Sequence, residues 1–129
     1  MNEWVVDTMA LVLKLERRRC PQQVRTIFEE AEHGLTTLYV PALVLVEIGY
    51  LSERGRIDAT LDEATNYCRT HQTIEMMPLT HDIILRSFEI DDIPELHDRL
   101  IAGTAATLQL PLITNDPVIA HSSYLTVIW

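Results

Sequence analysis

The chain switches hydrophobic period repeatedly, and this constrains its fold more than any other feature. Short β-prone apolar runs alternate with segments whose apolar residues recur at helical spacing. Residues 3–7 read as a short buried strand, followed by a helical pattern over 8–19 with Leu11, Val12 and Leu15 on one face. Pro21 stops that helix and starts a second through Val24, Ile27, Phe28 and Ala31, which Gly34 ends. Thr37, Leu38, Tyr39 and Val40 form a β-prone run, and Pro41 opens a helix to about Gly55. That helix is apolar nearly all round and is expected to be buried. Further on come a helical stretch from Asp58 through Cys68, a strand over 73–76, and helices over 80–88 and 95–108. A strand over 112–114, a turn or short helix opened by Asp116 and Pro117, and a last strand over 125–128 complete the series. Strands separated by helices predict a parallel sheet covered on both faces. In such sheets ligands bind outside the carboxyl ends of the strands, where strand order reverses.

Residues 1–129 are expected to form one domain, long enough for a single core. No stretch of about 18 residues lacks charge, so no membrane span is expected. Met1, Asn2 and Glu3 offer no basic region for a signal peptide. Cys20 and Cys68 fit reduced thiols, so a cytoplasmic location is expected, and two cysteines make no zinc site. The net charge of −9 runs against the basic balance of most nucleic-acid binders. The cations are unevenly placed, however: Arg17, Arg18 and Arg19 form one cluster, Arg54 and Arg56 another, and Lys14 is the only lysine. Arginine grips phosphate through a bidentate fork. A solvated helix end, favourable to the helix dipole, accounts for the first cluster equally simply.

Asp7, Glu47, Asp98 and Asp116 each sit in or beside an apolar stretch, where a carboxylate is costly unless its charge is compensated. Asp7 follows Trp4, Val5 and Val6 at a strand's end, and Asp116 follows Leu112, Ile113 and Thr114. If the first and fourth strands flank the reversal point, these two acids face one crevice. Each also has an ordinary reading as a helix cap: Thr8 could cap in place of Asp7, and Asp116 precedes a proline. Asp98 lies in a helix's first turn, where the dipole favours an acid. Glu47 is the hardest to explain away, because it lies mid-helix with no Lys or Arg at helical spacing. A structural Arg partner from elsewhere is the alternative to a metal. One hard divalent cation would account for all four acids, since such ions take oxygen ligands. Glu95 shares a face with Asp98 and reads as an exposed first-turn acid, and His97 should point to another side. The histidines have no zinc spacing, and no glycine-rich phosphate loop is present.

The order and setting of these acids resemble the PIN domain, and more closely the toxin nucleases of VapBC-type toxin–antitoxin pairs. Val5-Val6-Asp7-Thr8-Met9-Ala10-Leu11 is similar to the family's first-strand acid motif, and Val40-Pro41-Ala42 through Glu47-Ile48 to its helix-borne glutamate. Leu96-His97-Asp98-Arg99-Leu100-Ile101-Ala102 resembles the third acid's helix, and Leu112-Ile113-Thr114-Asn115-Asp116, 18 positions beyond Asp98, the fourth. Met9 departs from the pattern, where the family often has a small polar residue. The resemblance implies a three-layer α/β/α fold with a five-stranded parallel sheet, and a Mg²⁺- or Mn²⁺-dependent endoribonuclease. It implies that Asp7, Glu47, Asp98 and Asp116 hold the metal, supported by Thr8, Thr114 and Asn115. It also implies an RNA substrate, a small VapB-like antitoxin partner and a homodimer. Two alternatives stay within the fold: an inactive PIN-like binding module, and a stand-alone RNA-processing nuclease. A haloacid-dehalogenase-type phosphotransferase would want a second Asp where Met9 stands.

Overall fold

A computed structural model describes residues 2–129. The elements run β1 (Glu3–Val6), α1 (Thr8–Leu15), α2 (Gln22–Glu32), β2 (Thr37–Pro41), α3 (Ala42–Glu53), α4 (Leu61–Thr70), β3 (Ile74–Met77), α5 (His81–Glu89), α6 (Leu96–Leu108), β4 (Leu112–Ile113), α7 (Pro117–Ala120) and β5 (Val127–Ile128). All strands pair in parallel, in the order β3-β2-β1-β4-β5. Successive residues of a strand point to opposite faces. Val5 and Val6 of β1, and Leu112 and Ile113 of β4, are all fully buried. The central strands are therefore covered on both sides, which is the three-layer α/β/α arrangement expected. Among the described residues no helix is long and apolar enough to cross a membrane.

The strand order reverses between β1 and β4, as the crevice required. The register places Val6 opposite Ile113, and the Asp7 amide extends the ladder by donating to the Ile113 carbonyl at 3.1 Å. The next residues along, Asp7 and Thr114, consequently emerge side by side at the carboxyl ends of the two strands.

Helix ends explain most of the boundary differences. The helix after Asp7 was expected to reach residue 19, but α1 ends at Leu15. Arg17 takes the left-handed conformation (φ 55°), and the amides of Arg17 and Arg18 turn back to the carbonyls of Lys14 and Leu13. This is the Schellman stop, usually made by glycine. Gly34 and Gly55 make it with glycine, and Gln109 (φ 57°) repeats it without one. The helix placed at Asp58 starts at Leu61, because Thr60 and Glu63 form a reciprocal capping box.

The expected burial of α3 is corrected. Only Val44 and Ile48 are fully buried, whereas Val46 and Tyr50 are 59% and 54% exposed. One face packs on the molecule, and the other presents apolar side chains to solvent. On the far side α5 and α6 approach closely. A β-carbon on Gly103 would lie 1.9 Å from Ser87 Oγ and 2.9 Å from Ser87 Cα.

Candidate active site

Asp7, Thr8, Glu47, Asp98, Asn115 and Asp116 line one cleft of about 410 Å³ at the carboxyl ends of β1 and β4. Met9, Leu51, Ile101 and Pro117 complete its walls. Four segments far apart in sequence thus deliver their acids to one place. Thr114 lies beneath the cleft, almost fully buried, where its hydroxyl accepts from the Asp116 amide at 3.1 Å and hydrogen-bonds Asp7.

Cap and candidate ligand prove to be the same residue twice. Asp7 caps α1 by accepting from the Ala10 amide at 2.9 Å through Oδ1. Asp116 caps α7 through Oδ1, accepting from Val118 and Ile119 at 2.8 and 3.3 Å, with Pro117 at the first helical position. The cap fixes each acid through one oxygen at the edge of the cleft. Thr8, considered as the alternative cap, instead donates its hydroxyl to Glu47 Oε1 at 2.5 Å. Glu47 therefore has a hydroxyl partner across the cleft where a structural Arg was the alternative.

The electrostatics are those of crowded carboxylates. Burial pushes the Asp7 carboxyl up to about 6; the Thr114 and Ala10 hydrogen bonds oppose this, and Asp116 and Glu47 add to it. Asp98 is also raised to about 6, by burial first and then by Glu95, Asp116, Glu47 and Asp7. Like charges with no internal cation favour a proton on some of them.

Glu95 and His97 were not singled out for the site. Glu95 is the N-cap of α6, accepting from the Asp98 amide at 2.7 Å, and it also pairs with His97 Nδ1 at 2.8 Å. Its hydrogen bond to Glu95 is the main cause that holds the His97 imidazole above its ordinary value, and the charges of Glu95, Glu47 and Asp98 contribute. Glu95 three residues before Asp98 is a capping signal that the sequence did contain.

The donor set is entirely oxygen, which fits a hard divalent cation. Among the described residues, no three His, Cys, Asp or Glu side chains are drawn together tightly enough to grip one bare ion. Mg²⁺ retains several waters and takes one or two protein carboxylates directly, so dispersed acids around an open cleft suit a hydrated ion.

The chain matches the family model of the PIN domain over residues 4–122. No curated protein sequence matches it. Solved structures agree in fold. VapBC2 from Rickettsia felis, bound to a promoter DNA fragment, is 17% identical with a TM-score of 0.75 and 98% of each chain covered. DNA-bound VapBC from Salmonella typhimurium is 15% identical with a TM-score of 0.73, covering 99% of this chain and 98% of that one. VapC20 from Mycobacterium tuberculosis, a toxin that cleaves the sarcin–ricin loop, is 14% identical with a TM-score of 0.67, covering 95% and 96%. With the family model spanning all four acids and nearly the whole chain, this protein belongs to the PIN-domain family.

Proposed function

We propose that the chain is a divalent-metal-dependent endoribonuclease and the toxin of a VapBC-type pair. The observation that carries this reading is the convergence of Asp7, Glu47, Asp98 and Asp116 on one cleft, with Asp7 and Asp98 pushed up to about 6 by burial and then by neighbouring acids. These four would hold Mg²⁺ or Mn²⁺. When bound, such an ion supplies charge neutralisation at a phosphodiester and lowers the pKa of water. The protein's own part is orientation. Thr114 fixes Asp7 and the turn that carries Asp116, and Thr8 fixes Glu47. Asn115, exposed at the cleft's mouth, is placed to donate to a phosphate oxygen. Leu51, Ile101 and Met9 give the cleft apolar walls beside the acids.

The reading extends to a small basic antitoxin as partner, and the family resemblance adds a homodimer and a cytoplasmic location. An Arg of the partner would meet the four acids and compete with metal for them. Of the two helices that could wall an antitoxin groove, α3 leaves Val46 and Tyr50 exposed, whereas Leu11 of α1 is core. An amphipathic helix could cover that α3 face.

Incubating the purified chain with RNA in Mg²⁺ or Mn²⁺, and in chelator, tests the reading. Cleavage only with the ion is expected, suppressed when the product of a neighbouring small gene is co-purified. Metal-independent cleavage, or none in any ion, rules the reading out. Cleavage with no inhibitory small partner points to a stand-alone nuclease.

A further inference from the structure

The α1 C-terminus carries a second charged recess, of opposite sign to the cleft. It has a volume of about 400 Å³ and is lined by Lys14, Arg17, Arg18, Arg19 and Arg25. These are half of the 10 basic residues in a chain of net charge −9. Two of the five are already neutralised: Lys14 pairs with Glu32 at 2.7 Å, and Arg18 with Glu16 at 3.2 Å. Among the described residues, Arg17 and Arg19 have no acidic partner, and Arg25 meets only the neutral amide of Gln22. Three guanidinium groups are thus left to a ligand.

The backbone adds a second observation. Arg17 occupies the left-handed position of the α1 stop, where glycine would be easier. The Schellman turn sends residues 17–19 off the helix axis and around the recess. Gln109 makes the same turn, so what is particular here is that the turn carries exposed, unpaired arginines to the recess.

We infer that this recess is a phosphodiester-binding site that grips the RNA backbone away from the cleft. The inference rests on the ribonuclease reading for the identity of the polyanion. Thr8, at the start of α1, lines the cleft; Arg17 and Arg19 follow the end of the same helix, and Arg25 joins them from α2. α1 is about 12 Å long, a distance that a few nucleotides cover. A net-acidic chain with an acidic cleft repels RNA outside the reach of a bound cation, and a local basic site supplies attraction there. Guanidinium forks match phosphate oxygens in pairs. The site gives affinity without reading bases, since contacts to phosphate carry no sequence information.

The test uses a labelled single-stranded RNA long enough to span both sites, with binding followed by anisotropy in chelator across a salt series. The variant is Arg17→Gly/Arg19→Gln/Arg25→Gln, compared with a charge-matched Arg54→Gln/Arg56→Gln/Arg69→Gln variant. The first should bind at least about tenfold more weakly, with a salt slope shallower by about 2, as three lost phosphate contacts require. Arg17→Gly alone should raise the melting temperature while weakening binding, which separates loss of the site from loss of the fold. With metal present, KM for the long RNA should rise and cleavage of a trinucleotide should stay unchanged. Equal weakening in both triple variants would show a net-charge effect and overturn the proposal. So would equal affinity for a polyglutamate peptide, which would make the recess a protein-binding site. If the wild type binds RNA through these arginines but cleaves nothing, the ribonuclease reading fails and the binding site stands. If it cleaves RNA and the arginines do not matter, the reverse holds.

Discussion

The acidic cleft and the α5–α6 contact both force close approach, the first with like charges and the second by omitting a side chain. At the cleft, Asp7 and Asp98 are raised to about 6 partly by their neighbouring acids. At the helix contact, Gly103 admits the backbone of Ser87, whose hydroxyl is spent on the Ile83 carbonyl at 2.6 Å. One region stores unfavourable energy that a ligand can release, and the other is close-packed with nothing left to gain. Adding atoms should therefore harm the second, and removing charge should help the first.

The largest stability effect is expected at the contact. Gly103→Ala should cost about 3 kcal/mol, because the new methyl meets backbone as well as the Ser87 side chain. Urea unfolding measures it, and pairing the change with Ser87→Gly should recover part. An unchanged midpoint would mean that the helices slide apart freely, and the contrast would collapse.

Asp7→Asn should act in the opposite sense. It should abolish RNA cleavage yet raise the stability of the metal-free protein by about 2 kcal/mol at pH 7, because a buried charge disappears while the cap survives. Cleavage at the wild-type rate, or a large loss of stability, would break the comparison from the other side.

The pH profile sharpens it further. A carboxyl at 3.8 when unfolded and about 6 when folded binds more protons in the folded state across that window. The Asp7 contribution to the stability of the metal-free protein should therefore fall as pH rises from about 4 to about 6, and level off above. The raised His97 value continues the fall above 6.5. In Asp7→Asn the slope should shrink, as thermal unfolding across the range would show.

The smallest effect is expected at Glu47. Its partner is the Thr8 hydroxyl, so Glu47→Gln should change metal-free stability by about 1 kcal/mol. Breaking a buried ion pair would cost about 3–5 kcal/mol, and denaturant curves distinguish the two.

What the sequence showed and what it hid follow one physical division. Gly34 and Gly55 announced their helix ends because glycine is the easy residue at positive φ, but Arg17 and Gln109 perform the same turn silently. The four acids were legible because each sat against an apolar run. That Asp7 and Asp116 cap a helix and also line the cleft was not, since the two settings look identical in one dimension. Thr114 was legible from its motif, but its hydrogen bond to Asp7 depends on the β1–β4 register, which no local pattern reveals. The apolar α3 suggested burial, and only the packing shows that Val46 and Tyr50 face outward.

The central claim is that the four acids jointly need a cation, and the Mg²⁺ dependence of unfolding tests it most directly. Wild type and Asp7→Asn/Asp116→Asn are melted at pH 7 with increasing Mg²⁺, with Mn²⁺ as a second probe. The wild type should start lower and rise, gaining about 2.7 kcal/mol when the ion reaches a hundred times its dissociation constant. The double variant should start higher and stay flat. A wild type that ignores the ion, or a variant that responds equally, would contradict the account.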